Sequence, residues 1–146
     1  MKTIIHVIMM TACFLATFSC ADKLKETPDD KFVGQWTMQG RSMFEGIVID
    51  ITKQDGKLSG RIIKLNDNKL IKMFADTNDV WVSSIERLSN FEFKLTEKKI
   101  AKDLFSVYGL PTSQTFNVEF VNDSTIGLAT ESADPRKSTI VYKRLK

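Results

Sequence analysis

Histidine and cysteine, which often supply nucleophiles, general bases and metal ligands, occur in this 146-residue chain only as His6, Cys13 and Cys20. Beyond residue 20, Ser–His and Cys–His nucleophile pairs and sites built on histidine or cysteine metal ligands are therefore excluded. No serine is followed three residues later by lysine, and no glycine-rich phosphate-binding motif is present. These patterns predict a protein that is not an enzyme and that uses no metal and no cofactor.

Carboxylates are the remaining candidates for acid–base chemistry. Glu92 and Glu119 alternate with phenylalanines along two apolar runs, so both are expected on the solvated face opposite those rings. The formal net charge is only +3, from 21 basic and 18 acidic residues. This balance argues against nucleic acid as a partner.

The start of the chain has the composition of an export signal. Lys2 precedes an apolar run over residues 4–18, shorter than the about 20 residues that a membrane-spanning helix needs. The sequence TFSC, residues 17–20, resembles the lipobox of bacterial lipoproteins. That resemblance implies lipidation of Cys20 and anchoring in the cell envelope, on the periplasmic or surface side of the outer membrane. Ordinary secretory cleavage after Ala21 is the alternative.

Polar and charged residues follow this leader. The segment ADKLKETPDD contains a proline and no apolar pattern, which predicts a flexible tether over residues 20–30. We therefore expect a signal peptide over residues 1–19, the tether, and one folded domain over residues 31–146. If Cys20 carries acyl chains, ten tether residues allow at most about 35 Å between the membrane and the domain.

From residue 31 the apolar residues recur with a period of two, which is typical of antiparallel strands with one buried face. Asp55-Gly56 is the strongest hairpin signal. We predict strands near 31–39, 44–54, 57–65, 69–75, 80–88, 91–97, 114–121, 124–130 and 138–145. A meander of this length leaves exposed edges unless it closes, so we predict an all-β protein, an antiparallel meander closed into a small barrel of 8–10 strands.

The segment 97–109 departs from this period. Ile100, Leu104 and Val107 fall at helical spacing, with Thr96 as the expected N-cap and Gly109 as the expected stop. We predict one short helix near 97–108. The alternation of Ile100, Lys102 and Leu104 would also suit a strand.

The sequence FVGQW, residues 32–36, resembles the start of the first strand in lipocalins and the wider calycin group. The resemblance implies a lipocalin-like barrel in which Gly34 allows close backbone approach and Trp36 plugs the closed end. It also implies that a basic side chain stacks on the indole. Arg144 is placed for this cation–π contact, and Arg87 is the competing candidate.

Aromatic side chains are abundant enough to line or to fill a small barrel. The predicted wall of an apolar ligand cavity consists of Phe91, Phe93, Phe116, Val118, Phe120 and Tyr108. The same residues would equally suit a plain hydrophobic core without a cavity.

The resulting hypothesis is an envelope-anchored, lipocalin-like lipoprotein that binds or carries a small hydrophobic molecule and contacts the membrane through Cys20. The alternative is a non-enzymatic structural or protein-interaction lipoprotein with a filled barrel and an envelope protein as partner. That alternative requires an exposed apolar patch. Its candidates are Val33, Ile140 and Tyr142, which lie opposite the expected core face.

Overall fold

The computed structural model describes residues 26–146, so the predicted signal peptide and Cys20 lie outside the described residues. Within this range the strands are β1 (Gly34–Gln39), β2 (Val48–Gln54), β3 (Lys57–Lys64), β4 (Val80–Arg87), β5 (Phe93–Lys98), β6 (Ser113–Asn122), β7 (Thr125–Ala129) and β8 (Val141–Arg144). Helix α1 (Lys69–Phe74) lies between β3 and β4, and helix α2 (Lys102–Val107) lies between β5 and β6. Single 3-10 turns cover Asp29–Phe32 and Pro135–Lys137.

The strands form a closed antiparallel barrel in sequence order. Closure comes from β1, in which Trp36 pairs with Ile49 of β2 on one side and with Arg144 of β8 on the other. Every strand therefore has two hydrogen-bonded neighbours, which removes the exposed edges that an open meander would leave. The predicted fold class is confirmed as a closed antiparallel barrel of eight strands with short helices.

Alternate connections of such a meander lie at alternate ends of the barrel. The turns that join β2 to β3, β4 to β5 and β6 to β7 share one end with the start of β1. The connections that carry α1 and α2, together with the loop from β1 to β2, share the other end. We call the first the packed end, because aromatic rings fill it, and the second the cavity end, because a cavity opens there.

Aromatic side chains fill the packed end. The Phe32 ring lies 4.8 Å from the rings of both Phe93 and Phe120, and Trp36 lies 6.1 Å from Phe120. The indole Nε1 of Trp36 donates to the carbonyl oxygen of Phe32 at 2.7 Å. Because the buried indole has a hydrogen-bond partner, it closes this end without leaving an unpaired polar group.

Two arginines fasten the segment before β1 across the packed end. Arg144 stacks on Trp36, with 4.2 Å between the guanidinium carbon and the indole, and it donates to the carbonyl oxygens of Val33 and Lys31. Gly34 has a φ of +123°, a backbone conformation that favours glycine, and a Cβ there would lie 2.9 Å from the end of the Arg144 side chain. Arg87 stacks instead on Phe93 at 4.6 Å.

Residues 26–30, at the end of the predicted tether, also lie against the barrel. The amide of Thr27 donates to the carbonyl oxygen of Asn90 at 2.9 Å. Arg87 contacts Glu26 at 3.1 Å and also pairs with Asp29. Contacts with the barrel thus include residues before position 31.

The segment 69–75 forms helix α1, so the strand predicted there is wrong. The side chain of Asn68 accepts from the amides of Leu70 and Ile71, at 2.9 and 3.4 Å, and so caps the first turn. Ile71 and Ala75, four residues apart, are the buried positions of this segment. Helical spacing of the buried residues and an N-cap both favour the helix.

The short helix predicted near 97–108 is present but begins later, at Lys102. Strand β5 continues through Lys98, so Thr96 pairs with Thr115 of β6 and does not cap the helix. Ala101, at φ +57°, turns the chain from the strand into the helix. Of the predicted apolar face, Ile100 packs against the core, whereas Leu104 and Val107 are exposed.

Candidate functional site

A cavity of about 400 Å³ opens at the cavity end of the barrel. Helices α1 and α2 stand on either side of it, and the loop from β1 to β2 completes its rim. Its lining is largely apolar and consists of Met43, Phe44, Leu70, Ile71, Phe74, Trp81, Ile100, Ala101, Phe105, Gln114, Arg41 and residues 97–99. We call it the apolar cavity. Its volume falls in the range of roughly 300–1,000 Å³ that is typical of small-molecule sites.

The local conformation of each connection explains how these side chains reach the cavity. The capped helix α1 places Leu70 and Phe74 at the rim, while Ile71 is buried beneath them. In the β1–β2 loop, the amide of Phe44 donates to the carbonyl oxygen of Arg41 at 2.8 Å, which closes a turn. The turn sets the Phe44 ring 5.2 Å from Trp81, edge on, so the two aromatic rings form one side of the cavity.

A buried polar network forms the floor of the cavity. Both terminal nitrogens of Arg41 donate to the carboxylate of Glu97, each at 2.7 Å. Tyr142 donates its hydroxyl to the same carboxylate, and Trp81 Nε1 donates to the Tyr142 oxygen at 3.1 Å. These four side chains therefore form one continuous hydrogen-bonded chain, and such chains hold their members in fixed positions.

Burial and charge fix the protonation of two members of this network. Burial raises the pKa of the Tyr142 phenol well above its usual range, and the negative charge of Glu97 adds to that effect. Burial alone would lower the pKa of Arg41, but the hydrogen bonds and charge of Glu97 outweigh it, and the pKa is raised. At neutral pH the floor therefore holds an arginine cation and a neutral phenol that donates its proton.

The Arg41 guanidinium also contacts aromatic rings. It lies 5.1 Å from the centre of the Phe44 ring and 5.5 Å from that of Phe116. Among the described residues, no acceptor faces its Nε atom, which is buried. The arginine is thus held by Glu97, by ring faces and by a longer contact to the Met38 sulfur at 3.7 Å.

The predicted cavity wall does not coincide with this cavity, since none of its six residues is part of the lining. Phe93, Phe116 and Val118 are buried in the core, and Phe120 belongs to the packed end. The other two, Phe91 and Tyr108, are 40% and 72% exposed, so their assignment to an interior wall is wrong.

The exposure of Phe91 and that of Tyr108 each have a structural cause. Phe91 lies before the first residue of β5, in the turn from β4, and therefore does not share the inward face of Phe93. Tyr108 follows α2 directly after Val107, on the solvent-exposed side of that helix. Tyr142 was a candidate for an exposed patch, but it is fully buried in the floor network, so that assignment is also wrong.

The sequence reasoning missed the whole lining of the apolar cavity, including the Arg41–Glu97 ion pair at its floor. Glu97 is only 3% exposed, and it continues the inward alternation of Phe93 and Leu95 along β5. The period of two along the predicted strand 91–97 places Glu97 on the same face as Phe93 and Leu95, but the helix predicted near 97–108 overlaps that position and obscures the pattern. Arg41 lies in a loop, where no periodic pattern indicates which side chains turn inward.

Within residues 26–146, no group of three or more histidine, cysteine or acidic residues is arranged to hold a metal ion. No helix in that range is both long and apolar enough to cross a membrane.

No protein-family model matches the chain, and neither a curated protein nor a solved structure matches it significantly.

Proposed function

We propose that this chain is a lipocalin-like binding protein that holds one small hydrophobic molecule in the apolar cavity. The observation that carries the proposal is the asymmetry of the barrel. Stacked aromatic rings fill the packed end, whereas the opposite end contains a cavity of about 400 Å³ with an apolar lining. A barrel of eight strands is just wide enough for one small ligand.

The exposed apolar residues at the rim support this proposal. Leu70 and Phe74 of α1 are about half exposed, although α1 also has a buried face. Exposed apolar groups that line a concave site lose contact with water when a ligand covers them. A hydrophobic ligand is therefore favoured over a sugar or another strongly polar molecule.

The floor network supports binding more than catalysis. Arg41, Glu97 and Tyr142 are engaged with one another, so the carboxylate is held by three donors and is not free as a general base. A rigid polar floor beneath an apolar wall gives a ligand one preferred orientation. We propose a carrier or sequestering protein rather than an enzyme.

We also propose that the protein is exported and tethered to the cell envelope through acylated Cys20. The support is the leader and its lipobox-like end at residues 17–20. Growing expressing cells with a radioactive fatty acid should label the wild-type chain and leave Cys20→Ala unlabelled. Equal absence of label from both chains would favour ordinary cleavage after Ala21.

Binding can be tested with the neutral fluorescent probe N-phenyl-1-naphthylamine and the full chain in mild non-ionic buffer. We expect its fluorescence to rise on binding and Leu70→Arg to weaken binding at least about ten-fold, because a charge would enter the apolar rim. Met73→Arg is the matched control, since Met73 lies on the same helix, is 70% exposed and is not part of the lining.

The two tryptophans supply a second readout. Trp81 lines the cavity, while Trp36 lies at the packed end. Energy transfer or quenching on binding should therefore be much reduced in Trp81→Phe. Failure of the probe to bind the wild-type chain, or equal binding by Leu70→Arg and Met73→Arg, would refute the proposed cavity function.

A further inference from the structure

A second cavity, of about 390 Å³, adjoins the apolar cavity. Both cavities are lined by Phe74, Trp81 and residues 98–101. Beyond this shared part, the second cavity is bounded by the charged residues of β3, of the β3–β4 connection and of the start of α2. Its charged lining residues are Arg61, Lys98, Lys99, Lys102, Asp79 and Asp103. We call it the basic cleft.

The basic cleft carries an excess of positive charge, with four cationic side chains and two carboxylates. One carboxylate, that of Asp79, already accepts from the amide of Asp76 at 2.9 Å. Within residues 26–146, none of the four cations forms a salt bridge. Arg61 donates only to the carbonyl oxygen of Asn78, at 2.8 Å. A cleft with uncompensated charge of one sign attracts ions of the other sign.

The floor of the apolar cavity has the opposite property, since its charges are balanced. The Arg41 cation is paired through two hydrogen bonds with the Glu97 carboxylate. An anionic group placed there would lie next to Glu97 and would have to displace it from its partner, which leaves a buried charge unpaired. An anion is therefore favoured in the basic cleft and disfavoured at the floor.

We propose that the ligand is an amphiphile with one aliphatic chain and an anionic headgroup. The chain occupies the apolar cavity, and the headgroup, a carboxylate or a phosphate, lies outward in the basic cleft. Lys99 marks the boundary, since its ammonium group lies 5.3 Å above the ring of Phe105, which lines the apolar cavity. This inference rests on the proposed function and specifies the chemistry of its ligand.

Four amphiphiles with the same twelve-carbon chain separate the headgroup from the tail. Lauric acid and dodecyl phosphate are anionic, dodecanol is neutral and dodecylamine is cationic. Each is titrated below its critical micelle concentration against the full chain loaded with N-phenyl-1-naphthylamine, at pH 8 and low salt. We expect the two anions to displace the probe at concentrations about ten-fold below that needed for dodecylamine.

A variant with two cations replaced, Arg61→Gln with Lys102→Gln, tests the cleft directly, because both residues line the basic cleft and neither lines the apolar cavity. Each removed cation should weaken binding of the anions about three-fold, or about ten-fold together, because partly exposed charge pairs are modest in strength. Binding of dodecanol should change less than about two-fold. The charge-matched control is Lys57→Gln with Lys94→Gln, because both residues are exposed on strands and line neither cavity.

The two levels of the inference fail in different ways. Equal affinity for the anions, dodecanol and dodecylamine, or equal loss of the anions and dodecanol in the cleft variant, would overturn the headgroup assignment. Binding would then still support the apolar cavity. If the probe and all four amphiphiles fail to bind, the proposed function itself is overturned. A preference for only one of the two anions supports the assignment and identifies the headgroup.

Discussion

Replacing Arg41 by methionine tests whether the floor network stabilises the barrel. Methionine keeps an unbranched apolar side chain but removes both hydrogen bonds to Glu97, each 2.7 Å long. The Glu97 carboxylate would then remain buried with Tyr142 as its only side-chain donor in the described part of the chain. A buried charge that has lost its partner is among the costliest defects of a folded protein.

The magnitude follows from burial. Breaking a buried ion pair from one side costs about 3–5 kcal/mol of unfolding free energy. The Arg41 side chain retains 18% exposure, so water can partly solvate Glu97 in the variant. We therefore expect Arg41→Met to lower the free energy of unfolding by about 2–4 kcal/mol. Lys72→Met is the control, because the Lys72–Asp67 pair is similarly short, at 2.9 Å, but solvent-exposed. Losing that pair should not change the free energy of unfolding measurably.

Urea unfolding followed by tryptophan fluorescence measures both variants. The double variant, Arg41→Met with Glu97→Gln, should recover at least about 1 kcal/mol relative to Arg41→Met, because it no longer buries an unpaired charge. The reasoning is refuted if Arg41→Met costs no more than Lys72→Met. It is equally refuted if the double variant is less stable than Arg41→Met alone.

Two further predictions concern the ionisation of Tyr142 and the room for a Cβ atom at Gly40. Burial raises the pKa of Tyr142, so above about pH 10 the unfolded chain ionises this phenol before the folded chain does. The free energy of unfolding should then fall by up to about 1.4 kcal/mol per pH unit. Urea unfolding repeated at each pH measures this fall. It should be smaller in Tyr142→Phe than in Tyr108→Phe. Gly40→Ala should destabilise the protein more than Gly46→Ala in thermal unfolding. The φ angles are nearly equal, +84° and +83°, but only a Cβ at Gly40 would meet a backbone oxygen, at 1.9 Å. Equal melting temperatures would contradict the steric explanation.

The barrel itself could be predicted from the sequence, because its strands follow a local rule. A period of two predicts a strand wherever one face is buried, and Asp55-Gly56 marks its hairpin through backbone angles that few other residues adopt. Both residues have positive φ in the structure, 50° and 75°, between the paired residues Gln54 and Lys57. Closure follows from the cost of leaving the two outer strands unpaired.

The site could not be predicted to the same extent, because it is built at the cavity end from connections. The apolar residues of α1, at positions 70, 71, 73 and 74, recur at helical spacing, and the Asn68 cap agrees with it, but six residues are too short a segment for the pattern to stand out from the strands around it. The direction of the Arg41 side chain depends on Glu97, 56 residues away in the chain. A pairing over that distance has no local signature, so it is visible only after the barrel has brought β5 beside the loop.

The segment that Arg87 and Arg144 hold at the packed end determines where a linker can be attached to the barrel. Glu26 is held at the packed end through Arg87, and near the other end of the chain the Leu145 amide donates to Gln35 of β1 at 2.9 Å. A linker joined next to residue 26 or residue 146 would therefore be attached at the packed end of the barrel. When the protein is immobilised in this way, the cavity end faces the bulk solution and the apolar cavity stays accessible.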